Sequence, residues 1–137
     1  MKVENKAILL VEDDQVDIMT ILRALKEIHV CNPVVSMENG EVALEWLSQP
    51  DNELPCIILL DLNMPIMNGI EFLRLVKQDQ RLRRIPVVVL TTSEEQEDKV
   101  RSFDLGVAGY MAKPVDYRRF VDIMRSIDMY WTLSEMP

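Results

Sequence analysis

Three stretches of the chain hold four apolar residues in succession: Ile8-Leu9-Leu10-Val11, Ile57-Ile58-Leu59-Leu60 and Val87-Val88-Val89-Leu90. A strand with one wet face alternates apolar and polar positions, so short unbroken runs of this kind suit parallel strands covered on both faces. Strands are therefore predicted at about Ala7–Val11, Val34–Met37, Ile57–Leu60, Val87–Leu90 and Tyr110–Ala112. Between them Met19, Leu22, Leu25 and Ile28 recur at helical spacing, as do Phe120, Ile123, Met124 and Ile127. Residues 40–47, 69–77 and 94–104 supply three more helices. The result is five βα units, an α/β chain. Right-handed crossovers and a switch point beside the first strand give a doubly wound parallel sheet of order 2-1-3-4-5, the flavodoxin-like (βα)5 arrangement. Met19, Met37, Met111 and Met124 are expected to fill the core. Trp46 is expected on a helix face, buried in part.

The strand ends carry the polar residues. Glu12-Asp13-Asp14 follows the first apolar run; Asp61 follows the third and precedes Asn63, Met64, Pro65 and Gly69; Thr91-Thr92 follows the fourth and Lys113-Pro114 the fifth. Open α/β sheets keep their chemistry at the carboxyl ends of strands, so these groups converge on one site with Asp61 as its best reactive candidate.

In that order and at those spacings the acidic cluster, Asp61 with its Asn-Met-Pro and Gly69 tail, Thr91, Tyr110 and Lys113-Pro114 resemble the receiver domain of two-component response regulators. The resemblance runs from about Lys6 to Arg125. The start Glu-Asp-Asp-x-x-Asp, the loop Ser48–Pro55 and the tail from Tyr130 to Pro137 look like the regulators paired with bacterial phytochrome histidine kinases.

Composition narrows the partners. At 137 residues the chain is long enough for one core without staples, read here as a receiver domain over 1–128 and an apolar tail over 129–137, with no output domain. No stretch approaches the ~20 apolar residues of a membrane span, and the start of the chain lacks a secretory apolar region, so a cytoplasmic protein is expected. A net charge of −8 argues against nucleic acid as a partner. The one basic cluster, Lys77 with Arg81, Arg83 and Arg84, reads as a solvated loop ahead of Pro86. Cys31 and Cys56, beside predicted strands, read as reduced packing residues, and His29 as neither metal ligand nor phosphodonor.

Three carboxylates crowded at one edge need neutralising, since two such charges ~4 Å apart repel by about 4 kcal/mol at an effective dielectric of 20. All-oxygen ligands favour Mg²⁺. The resemblance implies that Asp13 and Asp61 ligate it directly, Glu12 through water, and the backbone carbonyl of Asn63 completes the protein's share; Asp14 and Asp17 only add local acidity. It also implies that Asp61 becomes an aspartyl phosphate, with Lys113 and Thr91 holding the phosphoryl oxygens and Pro114 following a cis peptide. Thr91 and Tyr110 form the implied switch. The partners implied are a phytochrome-type sensor histidine kinase and a downstream protein or phosphotransfer domain.

Two other readings fit less well. A magnesium phosphohydrolase of the haloacid dehalogenase type needs an acid/base aspartate two residues after its nucleophile, where Asn63 stands, and an acidic pair after rather than before it. A docking module without phosphorylation would not need the full set of site residues. At the carboxyl terminus Tyr130, Trp131 and Leu133 give an aromatic density suited to a homodimer contact, which the phytochrome-regulator resemblance also favours.

Overall fold

The computed structural model describes residues 6–62, 67–91, 94–112 and 117–134, without the side chains of 102, 112 and 127–134. Among the described residues five strands alternate with five helices: β1 Ile8–Val11, α1 Gln15–Glu27, β2 Val34–Met37, α2 Gly40–Ser48, β3 Ile57–Asp61, α3 Gly69–Gln78, β4 Val87–Thr91, α4 Glu94–Ser102, β5 Gly109–Ala112 and α5 Tyr117–Ser134. The sheet is parallel throughout, in the order β2-β1-β3-β4-β5, and is the flavodoxin-like arrangement. Every residue of β1, β3 and β4 is buried, which is why those runs show no alternation. The edge strand β2 is only half covered.

Helices coat both faces. One apolar cluster joins Leu9, Val11, Ile58 and Leu60 to Ala43 and Leu47 of α2, Phe72, Leu73 and Val76 of α3, and Val100 of α4. The other joins Ile8, Leu10, Ile57 and Leu59 to Ile18, Ile21, Ala24 and Leu25 of α1 and Phe120, Val121 and Met124 of α5. Successive strand residues thus feed opposite layers, as the pleat requires. Burying Phe72 and Phe120 completely contributes on the order of 2–3 kcal/mol each.

Several expectations shift. The buried stripe of α1 is Ile18, Ile21, Ala24 and Leu25, so the apolar face lies one position from the spacing read through Met19 and Leu22. Met19 is 68% exposed and Leu22 41%, hence Met19 is not core filler; α1 has more apolar positions than its packed face can use. Met111 and Met124 are buried, while Met37 and Trp46 are partly buried against the first cluster. Cys31 is exposed rather than packed; only Cys56 is buried. His29 closes α1 with φ 64°, and the following Val30 N–H donates to the Leu25 carbonyl at 3.0 Å. Its role there is to end a helix. The last helix continues to Ser134, so six residues read as tail, 129–134, belong to α5.

Candidate functional site at the carboxyl ends of the strands

The site is built where β1, β3 and β4 end side by side. Val11 pairs with Leu60 and Asp61 with Leu90, so the residues just past β1 lie level with the end of β3. Glu12 is anchored at that level by its N–H, which donates to the Met37 carbonyl at 3.0 Å. The next residues turn into α1. Asp14 is its N-cap: the carboxylate accepts from the N–H groups of Val16 at 2.8 Å and Asp17 at 3.1 Å. That bond commits Asp14 to helix capping and leaves Glu12 and Asp13 for the site.

Glu12, Asp13 and Asp61 each bring a carboxylate oxygen to within 4.8 Å of the other two. Glu12 and Asp61 are buried, at 0% and 1% exposure, whereas Asp13 faces solvent. One Glu12 oxygen accepts from the Asp14 N–H at 3.2 Å, which orients the side chain. Gathering anionic groups this closely is unfavourable by itself, and a divalent cation is the ordinary remedy. The donor set fits one: hard oxygen donors only.

Gly69 opens α3 against the back of this site. A Cβ there would stand 2.6 Å from both the Asp61 carbonyl oxygen and the Leu62 Cα, so a side chain would push β3 and its carboxylate out of place. The Gly69 N–H donates to the Leu62 carbonyl at 3.1 Å, and Asn68 caps the helix through the Glu71 N–H at 3.0 Å. Thus α3 fixes the segment carrying Asp61.

Thr91 ends β4, buried at 3% exposure, and its hydroxyl donates weakly to the Met111 carbonyl of β5 at 3.5 Å. Tyr110, half-buried on β5, packs against the first apolar cluster. The Arg101 guanidinium of α4 lies 4.3 Å from the centre of its ring and is ion-paired with Glu97 at 2.5 Å. Burial raises the Tyr110 phenol above its usual range, and the Arg101 charge acts in the opposite direction. Nothing in the sequence singled out Arg101, because a Glu-Arg pair four residues apart on a polar helix is commonplace. A small cleft of about 180 Å³ opens between α3 and α4, lined by Leu62, Asn68, Ile70, Gln96 and Lys99.

The structure therefore brings together Glu12, Asp13 and Asp61, with Thr91 at the end of the adjacent strand and Tyr110 behind it on β5. Asn63, Lys113 and Pro114, and with them the proposed cis peptide, lie outside the described residues; so do the side chains of Tyr130, Trp131 and Leu133.

Comparison with known proteins agrees with this fold. Residues 8–125 match the response regulator receiver domain family. Response regulator Rcp1 of Synechocystis sp. is 35% identical over 130 residues, covering 92% of this chain and 88% of that protein. Its Mn²⁺-bound structure superposes with a TM-score of 0.80 at 35% identity, over 93% of this chain and 94% of that one. The phosphorylated cyanobacterial phytochrome response regulator RcpA gives a TM-score of 0.84 at 37% identity, over 96% and 97% of the two chains. The bacteriophytochrome response regulator RtBRR gives 0.80 at 41% identity, over 88% and 77%. The phosphohydrolase reading is set aside by these matches. The chain belongs to the response regulator receiver domain family, whose receiver domains accept a phosphoryl group, and is homologous to the phytochrome response regulators.

Proposed function

We propose that Asp61 is the phosphoacceptor of a regulator served by a phytochrome-type sensor histidine kinase. The observation that carries this is the convergence of Glu12, Asp13 and Asp61 at one strand end, with Thr91 ending the adjacent strand. In the reaction an Asp61 carboxylate oxygen attacks the phosphorus of a phosphohistidine; the new P–O bond forms as the P–N bond breaks, and the imidazole leaves. Asp13 and Asp61, with the Asn63 carbonyl, would hold Mg²⁺ and Glu12 would reach it through water; Rcp1 binding Mn²⁺ supports a divalent ion here. When bound, the ion supplies positive charge against the carboxylates and the incoming phosphoryl oxygens. Lys113 holds a second positive charge on those oxygens and Thr91 donates its hydroxyl, both by electrostatic stabilisation.

The same contacts switch the molecule. Thr91, drawn toward a phosphoryl oxygen, leaves its weak bond to Met111 and vacates space that Tyr110 takes, which reshapes the face formed by α4, β5 and α5. The protein thus stores a phosphoryl group rather than turning over a separate substrate, and its output is a contact with a downstream protein or phosphotransfer domain. No described helix is long and apolar enough to cross a membrane, which accords with a cytoplasmic site of action. Kinase pairing rests on the similarity to Rcp1, RcpA and RtBRR. It is tested by mixing the protein with an autophosphorylated phytochrome kinase and, separately, with a kinase of another sensory class. Phosphotransfer within seconds from the first and at least tenfold more slowly from the second is expected; equal rates would contradict the pairing.

The homodimer belongs to this proposal as well. Tyr130, Trp131 and Leu133 lie on the end of α5, and aromatic side chains make frequent interface anchors. Deleting 129–137 should convert a dimer into a monomer in light scattering. A full-length chain that stays monomeric at high micromolar concentration would overturn this part.

A further inference from the structure

At the opposite end of the same three central strands lies a cavity of about 410 Å³. Lys6 precedes β1, Cys56 precedes β3 and Pro86 precedes β4, so three adjacent strand starts form its base. The floor is apolar, including Pro55, Cys56 and Ile85, and the rim carries Lys6, Arg81 and Arg84. Among the described lining residues there is no carboxylate, although the chain as a whole carries a net charge of −8.

Among the described residues these cations are not spent on ion pairs. Arg81 donates from its guanidinium to the Leu47 carbonyl at the end of α2, 3.1 Å away, and its own N–H is held by the Asp79 side chain at 2.8 Å. These bonds fix its position while leaving most of its five donors for a ligand. Neither Lys6 nor Arg84 has an ion-pair partner among the described residues. An open groove of this volume, with buried apolar residues beside more exposed cations, offers one small molecule both an apolar surface and positive charge. The basic residues come from separate parts of the chain, residue 6 ahead of β1 and residues 81 and 84 ahead of β4, so the cluster is assembled by the fold rather than being a run of loop charge.

We infer that this cavity binds a small amphipathic anion, an organic phosphate, sulfonate or carboxylate carried on an apolar body, with the anionic group on Lys6, Arg81 and Arg84 and the body over Cys56 and Ile85. The site is separate from the acidic cluster: strands of four or five residues rise about 3.3 Å per residue, which puts roughly 15 Å between the two ends.

The test uses the full chain, labelled with ¹⁵N, and two probes of nearly the same shape. One is 1-anilinonaphthalene-8-sulfonate, an anion on an aromatic body; the other is N-phenyl-1-naphthylamine, which lacks the charge. The sulfonate is expected to bind one to one, shifting the amides of Lys6, Cys56, Arg81, Arg84 and Ile85 and not those of Glu12, Asp13 or Asp61. Arg84→Glu and Lys6→Glu, tested separately so that a folding fault in one does not decide the matter, should each weaken it about tenfold, as should removing the charge from the probe. Inorganic phosphate should compete. No sulfonate binding at millimolar concentration, binding indifferent to both charge reversals, equal affinity for the neutral probe, or shifts centred elsewhere would each overturn the assignment.

Discussion

Helices α3 and α4 cover the same face of the sheet, yet they are attached to it very differently. Helix α3 sinks Gly69, Phe72, Leu73 and Val76 into the core and presses its first residue against the backbone of Asp61 and Leu62. Helix α4 reads Glu-Glu-Gln-Glu-Asp-Lys-Val-Arg-Ser, and Val100 is its one buried residue among those described. The first helix positions the Asp61 carboxylate; the second is held mainly by one valine and by surface contacts such as Arg101 over Tyr110. A receiver needs both. The acceptor must sit in fixed geometry, while the face that reports phosphorylation must move at small cost, and elements that move are drawn from the weakly packed part of a structure.

The contrast breaks most visibly at Phe72. Phe72→Ala should cost about 3–5 kcal/mol by leaving a cavity under α3, whereas Val100→Ala, which removes two methyl groups under α4, should cost about 2 kcal/mol. Urea unfolding of both variants measures the difference, and equal losses would erase the distinction between the helices. Gly69→Ala sharpens the same point from the site: the added Cβ meets backbone, so stability and phosphorylation should fall together, with the loss of labelling rate exceeding tenfold.

Next in size is the response to the metal. Mg²⁺ at ~100 times its dissociation constant should stabilise the folded chain by about 2.7 kcal/mol, because the dispersed carboxylates of the unfolded chain bind it poorly. Glu12→Gln with Asp13→Asn should remove most of the Tm shift on adding Mg²⁺; a shift of undiminished size would place the ion elsewhere. The smallest effect concerns the surface of α4. Since the Arg101 charge pulls the Tyr110 phenol down against the burial that raises it, Arg101→Ala should move that phenol further above 10.0. A spectrophotometric titration compared with Tyr110→Phe reads this. The sign for stability follows: a raised folded-state pKa gives stabilisation that is complete below the unfolded value near 10.0 and is lost as pH rises through the folded one. The alkaline loss should therefore shrink in Tyr110→Phe.

Much of this was legible in the sequence because burial on both faces leaves a one-dimensional signal. The unbroken runs at 8–11, 57–60 and 87–90 could hardly be anything but central strands, and the polar residues at their ends followed. The phase of α1 was not legible: Val16, Met19 and Leu22 are as apolar as Ile18 and Ile21, and packing against the sheet and α5 decides which flank is covered. The difference between buried Glu12 and exposed Asp13 is likewise a matter of where the chain turns after β1. The basic residues read as a solvated loop are in part the rim of a cavity, since Lys6, more than 70 positions away from Arg81, meets them only in the folded sheet.

On the proposed function, Asp61 alone receives the phosphoryl group. Wild type and Asp61→Asn are incubated with acetyl phosphate and Mg²⁺, and the intact mass and the modified peptide are determined. One added phosphoryl group is expected, mapped to Asp61 in the wild type and absent from the variant. Acid-labile phosphate at wild-type level in Asp61→Asn would contradict it.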